Sequence, residues 1–417
     1  MARRTAPSAS PPRSGGRAST LRGARRWLLG ALAALACSPW LGGGCSAPFD
    51  PPSLVNSMRV FAVVQDRCDN GGHWNQPQND ECLPAEPTDP EAQPAPTAIV
   101  GGSYAHPGDE VRMTMTFRDG YVDPDDPDAP PRDPEIVWLG GCFNPDGDQY
   151  FNCYEQLASV LEGGINPLDL PPELGRGATY VLPIPERVLD ERPTPTSGPR
   201  YALGYVFFVV CAGRLNVVPP EGDGAAGSFP IGCFDPETNQ RLGPESFIAG
   251  YTQVYAFEDE RQNEHPPFRD LLIDGQLVSD EALDEDGVPR PRTRVERCAI
   301  LEEDRRVQGC GAEDLGDCRT YDLSLAIPEG VDIAEPDPGA EALDGQPLTE
   351  AVWVDYYSDG GDLGSAVKLV NDAVEGYNPE HESEWTPPSE PGDYFVWAVV
   401  HDARGGASVI ERVLTVE

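Results

Sequence analysis

Apolar and polar residues alternate along several short segments of this chain. In "VRMTMTF", Val111, Met113, Met115 and Phe117 are apolar, and the residues between them are polar. Successive side chains of a β-strand point to opposite faces, so this pattern places one face against a core and the other in water. The segment is therefore predicted to be a half-buried strand.

Most other apolar runs are equally short and are separated by turn residues. The 45 Pro and 44 Gly are scattered along the chain, which leaves room for few long helices. Only "CYEQLASVLEG", Cys153 to Gly163, has a helical pattern. Because 13 Phe, 14 Tyr and 7 Trp can build compact cores, we predict a mainly β fold and not a disordered chain.

Two parts of the chain pass through similar apolar segments in the same order, which suggests a divergent duplication. The segments of the first part are "SMRVFAVV", "HPGDEVRMTMTFRDG", "PEIVWLGGC", "RYALGYVFFVVCAG" and "YTQVYAFED". Those of the second part are "PPFRDLLIDG", "TYDLSLAIPEG", "EAVWVDYYSDG" and "WTPPSEPGDYFVWAVVHDARGGASVIERVLTVE". We predict two β-sandwich domains in series, over residues 57–261 and 262–417, the first with long loop insertions tied by disulfides.

The two parts also share aromatic residues at matching places. In an immunoglobulin-like sandwich, a Trp on strand C packs against the far sheet, and a Tyr on strand F returns its hydroxyl to nearby backbone. Trp138 and Trp353 suit the first role, and Tyr205 and Tyr394 suit the second. We expect Trp353 and Tyr394 to be buried partners in the second domain. Ordinary core aromatics of another β fold are the alternative.

The N-terminal segment has the composition of a secretory signal. Residues 1–26 contain seven arginines and no acidic residue, and the apolar run "WLLGALAALA" follows directly. This run is about half of the roughly 20 residues that a helix needs to span a bilayer. No later segment approaches that length, so a retained transmembrane helix is not expected.

A cysteine follows the apolar run at two places, Cys37 after "AALA" and Cys45 after "LGGG". Both contexts resemble the acceptor box of bacterial lipoproteins. We favour Cys45, because "SAPFDPPS" behind it is the polar, Pro-rich tether of a lipid-anchored domain, and because Ser46 lacks the acidic charge that retains lipoproteins at the inner membrane. This predicts a signal peptide over residues 1–44, a lipidated tether over 45–56 and an outer-membrane location. Cleavage after "ALA", which releases a secreted protein, is the alternative.

The last strands resemble a known class of domain. "WTPPSEPGDYFVWAVVHDARGG" is similar to the end of polycystic-kidney-disease-type and related bacterial immunoglobulin-like domains. Together with "DPPSLVNSMRVFAVV" behind Cys45, it resembles a family of bacterial cell-surface lipoproteins that combine a lipobox with two immunoglobulin-like domains. The resemblance implies an adhesive or structural role and supplies no catalytic residues.

The charge of the chain limits its partners. The formal net charge is −40 at pH 7, and removal of the arginine-rich leader makes it more negative. Such a field repels phosphate backbones, so nucleic acid is not an expected partner. Anionic membrane surfaces are disfavoured as well, which leaves the acyl chains on Cys45 as the membrane anchor.

Eleven cysteines fit an oxidising compartment and a disulfide framework. The spacing favours three local pairs, Cys68 with Cys82, Cys142 with Cys153, and Cys211 with Cys233. Cys298, Cys310 and Cys318 leave one odd thiol. Closing a loop as short as the one between Cys142 and Cys153 is worth about 3 kcal/mol in the chain-entropy model. Zinc is less favoured, since the chain has no C-x-x-C.

One loop carries oxygen ligands of the kind that calcium takes. "NPDGDQYFNCYE" places Asn144, Asp146, Asp148 and Glu155 at positions 1, 3, 5 and 12 of an EF-hand-like count, but its glycine is at position 4 and not 6. Solvated turns in an acidic chain explain the same residues. We therefore predict no cofactor and keep these four residues only as calcium candidates.

Motifs of known enzymes are lacking. The five histidines lie far apart, and His381 in "HESEW" lacks the second histidine of H-E-x-x-H. The chain has no G-x-S-x-G and no P-loop. "GDGAAG", Gly222 to Gly227, matches G-x-G-x-x-G but opens no helix, so it is interpreted as a loop. We expect no catalytic residues.

These observations predict a lipid-anchored protein of the cell envelope with a non-catalytic binding or structural role. Its partners would be the membrane, through the N-terminal lipid, and an envelope protein or polysaccharide. The alternative is a lipoprotein hydrolase that acts on envelope polysaccharide or protein through a loop-built site, for which two carboxylates facing each other across a cleft would be needed.

Processing of the N-terminus tests the anchor. We expect globomycin to block maturation and mass spectrometry to find a mature N-terminus at a diacylated Cys45, because the Gly-rich segment before it suits a peptidase and the Pro-rich segment after it suits a tether. A mature chain that begins at Ser38, or at another residue without lipid, would show that the assignment is wrong.

Overall fold

The computed structural model describes residues 51–69, 71–75, 79–84, 96–122, 132–154, 174–190, 192–196, 198–218, 231–279, 291–305, 318–341 and 345–417. These ranges are almost entirely β-strands and turns, with one single-turn helix, α1 (Glu302–Arg305). Three 3-10 turns occupy Asp146–Asp148, Tyr150–Asn152 and Pro244–Ser246. In this described part of the chain, no helix is long and apolar enough to cross a bilayer. Only the first two residues of the predicted helix from Cys153 to Gly163 lie in the described part of the chain.

The first sandwich contains two facing sheets. Its strands are β1 (Met58–Cys68), β2 (His73–Trp74), β3 (Cys82–Leu83), β4 (Ile99–Gly101), β5 (Tyr104–Ala105), β6 (Glu110–Asp119), β7 (Glu135–Phe143), β8 (Leu174–Arg176), β9 (Thr179–Pro183), β10 (Tyr201–Cys211), β11 (Arg214–Val217), β12 (Ile231–Phe234) and β13 (Phe247–Phe257). The sheet orders are β4-β1-β6-β9 and β5-β13-β10-β7-β8, and β2-β3 and β11-β12 form separate hairpin pairs.

The second sandwich is built in the same way. Its strands are β14 (Leu271–Ile273), β15 (Gln276–Leu277), β16 (Arg294–Val295), β17 (Tyr321–Leu325), β18 (Pro336–Glu341), β19 (Pro347–Thr349), β20 (Val352–Ser358), β21 (Asp362–Leu363), β22 (Val367–Asp372), β23 (Gly376–Tyr377), β24 (Ser383–Thr386), β25 (Gly392–Asp402) and β26 (Ala407–Val416). The sheet orders are β15-β14-β17-β24-β21 and β16-β26-β25-β20-β22-β23, with β18-β19 as a separate pair.

The two sandwiches share one topology. The row β1-β6-β9 corresponds to β14-β17-β24, and the row β13-β10-β7-β8 corresponds to β26-β25-β20-β22. In each sandwich a two-residue strand pairs in parallel with the last strand, β5 with β13 and β16 with β26. This is the immunoglobulin-like arrangement. The chain is therefore a mainly β protein with sandwich domains of this class, as the apolar pattern predicts.

The core of the first sandwich follows the predicted alternation. Val111, Met113 and Met115 of β6 are buried between the sheets. Trp138 of β7 is fully buried and stacks on Tyr180 of the far sheet, with ring centroids 6.0 Å apart. Its Nε1–H donates to the carbonyl oxygen of Gly177 at 2.7 Å. Trp138 thus has the role that was predicted for the strand C tryptophan.

In the second sandwich, the prediction that Trp353 is the core tryptophan is wrong. Val352, Val354 and Tyr356 of β20 point into the core, so Trp353 lies on the outer face of the sheet, where it stacks on His401 at 5.4 Å. The core tryptophan is Trp385 of β24, which is fully buried and donates to the carbonyl oxygen of Gly360 at 3.0 Å. Trp353 pairs with His401, at the opposite end of β25 from Tyr394, so the two aromatics are not partners.

The two tyrosines behave differently. Tyr394 packs against the second core, and its hydroxyl donates to the carbonyl oxygen of Glu390, four residues upstream, at 3.2 Å. This is the hydrogen bond expected of a tyrosine corner. The hydroxyl of Tyr205 instead donates to the carbonyl oxygen of Asp148, far away in sequence, at 2.8 Å. The tyrosine-corner role predicted for Tyr205 was therefore wrong.

The sandwiches pack directly against each other. A β-bulge between Val60 and Ala62 turns both Phe61 and Ala62 toward the second sandwich. There Phe61 contacts Trp397, with ring centroids 5.0 Å apart. Val55, Val399 and Ala407 complete this small buried cluster.

Polar groups fix the same interface. The side-chain amide of Asn263, in the connection between the sandwiches, donates to Ser103 Oγ at 2.9 Å and to Asp402 Oδ2 at 3.0 Å. Ser103 Oγ donates in turn to the carbonyl oxygen of Arg404 at 2.7 Å. A Cβ at Gly102 would lie 2.0 Å from the carbonyl oxygen of Asn263, so only glycine fits this approach.

Four disulfides tie the connections to the sheets. The structure contains Cys68–Cys82, Cys142–Cys153 and Cys211–Cys233, the three pairs that the spacing favours. A fourth bond joins Cys298 and Cys318, and Cys310 lies outside the described ranges.

Truncation of the two tryptophans distinguishes core from surface. Trp385→Ala should lower the free energy of unfolding by roughly 3 to 5 kcal/mol, because it empties a fully buried site. Trp353→Ala should cost about 1 kcal/mol, since Trp353 lies on the outer face of the sheet, where it stacks on His401 and hydrogen-bonds the side chain of Asp355. Urea unfolding of the mature chain, followed by circular dichroism, measures both. Equal losses would contradict the assignment of Trp385 to the core.

Burial raises the pKa of Asp359, next to the interface, to about 6 from an unperturbed 3.8, although its carboxylate accepts a hydrogen bond from the backbone N–H of Phe395. Because the folded-state pKa is raised, the ionised carboxylate opposes folding fully above pH about 6, and this cost disappears below about 3.8. Asp359→Asn should therefore stabilise the protein by about 3 kcal/mol at pH 7.5 and by only about 0.5 kcal/mol near pH 4.

Asp372, which is partly exposed, provides a matched control for Asp359. Backbone hydrogen bonds from Glu375 and Val374 lower its pKa, so Asp372→Asn should give no gain at pH 7.5. Urea unfolding at both pH values measures the two variants. A stabilisation by Asp359→Asn that is the same at pH 4 and pH 7.5 would contradict the assignment.

Candidate functional site

The outer face of the β5-β13-β10-β7-β8 sheet carries a second apolar layer. Along β10, Val206 and Phe208 point into the core between the sheets, whereas Tyr205 and Phe207 point to the outer side. All four residues are buried. An outer sheet face of this kind would ordinarily be solvated and polar. Here it is covered by the loop that follows β7 and by aromatic side chains.

Three rings of this layer are exposed to solvent. Tyr150 and Phe151, in the loop after β7, are 38% and 48% exposed, and Tyr251 of β13 is 43% exposed. Tyr150 stacks on Tyr251, with ring centroids 4.7 Å apart and an interplanar angle of 19°. Tyr251 also contacts the buried rings below it, Tyr205 at 5.7 Å and Phe207 at 6.0 Å. We call the surface formed by Tyr150, Phe151, Tyr154, Tyr205, Phe207, Tyr251 and Tyr255 the aromatic face.

The loop that carries Tyr150 is held rigidly from several sides. The Cys142–Cys153 bond closes its ends. Both carboxylate oxygens of Asp148 accept hydrogen bonds from the guanidinium of Arg192, at 3.0 and 3.1 Å. Its carbonyl oxygen accepts the hydrogen bond from Tyr205. The exposed rings are therefore positioned before any ligand arrives, which lowers the entropic cost of binding.

Gln253 connects the tyrosines of the face. Its Nε2 donates to the hydroxyl oxygen of Tyr205 at 3.1 Å, and its Oε1 accepts from the hydroxyl of Tyr255 at 3.0 Å. Burial raises the pKa of both tyrosines, so their hydroxyls are protonated at neutral pH. The aromatic face is thus composed of tyrosine and phenylalanine side chains, on a chain whose formal net charge is −40.

A cleft of about 350 Å³ adjoins the aromatic face where the two sandwiches meet. It is lined by Gln65, Tyr251, Thr252, Gln253, Tyr255, Asp402, Ala403, Arg404 and Gly405. Gln65 of β1 is only 1% exposed, and its Nε2 donates to the carbonyl oxygen of Gln253 at 2.8 Å. Its Oε1 accepts no hydrogen bond from any described residue. Such a buried acceptor carries a desolvation cost that a donor in the cleft would remove.

The charged groups of the cleft are already paired. Arg404 donates to Glu350 Oε2 at 2.6 Å and to Glu335 Oε2 at 2.7 Å. Asp402 Oδ1 accepts from the backbone N–H groups of Arg404 and Gly406, both at 2.8 Å, while Oδ2 is bound to the Asn263 amide. The cleft therefore does not select for an ionic ligand.

The calcium candidates serve the fold in this structure. The side-chain amide of Asn144 donates to the carbonyl oxygen of Val188 at 2.7 Å, and its Oδ1 accepts from the backbone N–H of Leu203 at 3.1 Å. The Asp148 carboxylate binds Arg192, and Asp146 is exposed. Among the residues that the structure describes, no group of three or more His, Cys, Asp or Glu could hold a metal ion.

Other residues singled out in the sequence are not brought into one site. The segment with Cys45, the loop of Gly222 to Gly227 and the fourth calcium candidate, Glu155, lie outside the described ranges. His265 lies in the connection between the sandwiches and bonds to the carbonyl oxygen of Gln65 at 2.8 Å. His381 contacts Tyr377 on the second sandwich, so these two histidines share no site.

A second cleft, of about 440 Å³, lies on the second sandwich and is rich in carboxylates. It is lined by Asp322, Gly364, Ser365, Lys368, Pro379, Glu380, Glu382 and Glu384. We call it the acidic cleft. Its carboxylates are the groups that the hydrolase alternative would use.

The aromatic face was not predicted from the sequence. Its signal is visible in retrospect, because Tyr205 and Phe207 alternate with core residues on one strand, and Tyr251 and Tyr255 do so on the strand that pairs with it. However, an apolar run such as "YALGYVFFVV" is also typical of a strand that is buried on both faces.

No family model matches the sequence, and no curated protein matches it. Among solved structures, the crystal structure of chicken CNTN1 FN1-FN3 domains is 9% identical, with coverage of 87% of this chain and 99% of that chain and a TM-score of 0.15. The assignment of this chain to the immunoglobulin-like sandwich class rests on its own sheet topology.

Proposed function

We propose that this protein is a lipid-anchored component of the cell envelope that binds a ligand, without catalysis, on the aromatic face of its first sandwich. The supporting observation is the set of three exposed rings, Tyr150, Phe151 and Tyr251, on a support that is otherwise fully packed. Exposed large apolar groups that cluster in this way commonly mark interaction surfaces.

The support beneath the rings favours a binding role over incidental exposure. A disulfide, an ion pair between Asp148 and Arg192, and the hydroxyl of Tyr205 all hold the loop in one place. These elements restrict the movement of the rings. Aromatic side chains that are already ordered lose little conformational freedom on binding, so they contribute strongly to affinity. The tether after Cys45, as predicted from the sequence, would carry this surface at the membrane.

The hydrolase alternative has a weaker basis. It would use the acidic cleft, which offers carboxylates such as Glu382 and Glu384 on a strand segment of the second sandwich. Glu384 pairs with Asp322 of the adjacent strand β17, and Glu382 comes two residues before Glu384, so these carboxylates belong to one sheet. Glycoside hydrolysis needs a pair that flanks the substrate from two sides.

Binding to isolated envelopes tests the proposal. The mature chain from residue 45, with Cys45→Ser to prevent lipidation, should sediment with envelope fragments of the cells that make the protein. The variant Tyr150→Ala/Phe151→Ala/Tyr251→Ala should lose at least tenfold in affinity, about 1.4 kcal/mol, because it removes all three exposed rings.

Tyr377→Ala is the matched control for this experiment, since Tyr377 on the second sandwich is 45% exposed and lies away from the aromatic face. It should bind as the unsubstituted chain does. Circular dichroism and disulfide mapping establish that each variant is folded. Equal binding by the triple variant and the unsubstituted chain would refute the aromatic face as the ligand surface.

A further inference from the structure

We propose that the ligand is an uncharged polysaccharide, whose chain crosses the aromatic face and places one sugar in the cleft between the sandwiches. This inference rests on the proposed binding function and specifies its ligand. A sugar ring has apolar C–H faces and a rim of hydroxyl groups, so it requires aromatic surface and neutral hydrogen-bonding groups at the same place. The two features meet here at Tyr251, which belongs to both the aromatic face and the cleft.

The aromatic face supplies the stacking surface. Tyr150 and Tyr251 form a stacked pair, and Phe151 contacts Tyr150 with ring centroids 5.8 Å apart. The exposed surface is thus wider than a single side chain, as an extended polymer would need. Ring faces bind apolar C–H groups through dispersion and removal of water, without any need for charge.

The cleft supplies the hydrogen-bonding groups. Gln65 is fixed by its donation to the carbonyl oxygen of Gln253, and this leaves its Oε1 without a donor among the described residues. A sugar hydroxyl is a donor of suitable size and neutral charge. Thr252 Oγ1 already accepts a hydrogen bond from Gln65 Nε2 at 3.3 Å, so its own O–H can donate to a sugar oxygen.

The charge distribution argues for a neutral polymer. Arg404 is neutralised by Glu335 and Glu350, and Asp402 is held by backbone N–H groups and Asn263. The formal net charge of −40 would repel an anionic polysaccharide at long range. A cationic partner would be attracted to the whole surface and would not need an uncharged aromatic face.

The experiment uses envelope fragments that have been digested with proteinase K, so that polysaccharide remains, and half of the sample is then oxidised with periodate to destroy sugar diols. The mature chain with Cys45→Ser should bind the digested fragments, and oxidation should lower the affinity at least tenfold. A rise in NaCl from about 0.05 to 0.5 M should change the affinity less than twofold, because no ionised group takes part.

Two substitutions locate the sugar. Tyr251→Ala should lower the affinity at least tenfold. Ala403→Trp should do so at least fivefold, because Ala403 is exposed in the hairpin turn and a bulky side chain there fills the cleft without changing the rings. Tyr377→Ala should leave binding unchanged. Normal binding by Ala403→Trp would overturn the placement of a sugar in the cleft.

The outcomes separate this inference from the proposed function. Binding that survives periodate but is lost after proteinase K identifies a protein partner, which overturns the polysaccharide while the binding function stands. Affinity that falls more than tenfold with salt overturns an uncharged ligand in the same way. If the chain does not bind intact envelopes, or if Tyr251→Ala binds them as the unsubstituted chain does, both the polysaccharide ligand and the proposed binding function are refuted.

Discussion

The packing of Phe61 on Trp397 is the contact on which the arrangement of this molecule depends. Phe61 can reach the second sandwich because the β-bulge after Val60 turns two successive apolar residues to the outer side of β1. The contact orients the second sandwich so that its hairpin turn, Asp402 to Gly405, lies beside β13. The cleft therefore exists only in the docked arrangement, and the buried Asn263 amide links the same turn to Ser103.

The aromatic face depends on a different kind of support. The loop after β7 has no separate core of its own and takes its position from a disulfide, from the Asp148–Arg192 pair and from contacts with the outer side of β10. Exposed rings favour self-association, but a formal net charge of −40 keeps copies of the chain apart. The acidity of the chain and its uncharged aromatic face are thus compatible properties of one molecule.

Trp138 and Trp353 show why similar sequence motifs have different environments. Each tryptophan follows a valine in an "E-x-V-W" segment, and each lies on the strand that pairs with the long central strand. Trp138 is opposite Phe208, which points into the core, whereas Trp353 is opposite His401, which points outward. A difference of one residue in register moves a side chain to the other face of the sheet.

Local regularities of the sequence were sufficient for the strand-rich class, the half-buried strand β6, the burial of Trp138 and the three short-range disulfides, because each depends on residues close together in the chain. Register, the role of Trp385, the docking of the sandwiches and the aromatic face were decided only by the tertiary structure. Each of these joins segments far apart in sequence, as Tyr150 with Tyr251 and Phe61 with Trp397. An alternating pattern indicates that a strand has two different faces. Which face is covered depends on the surface that packs against the strand.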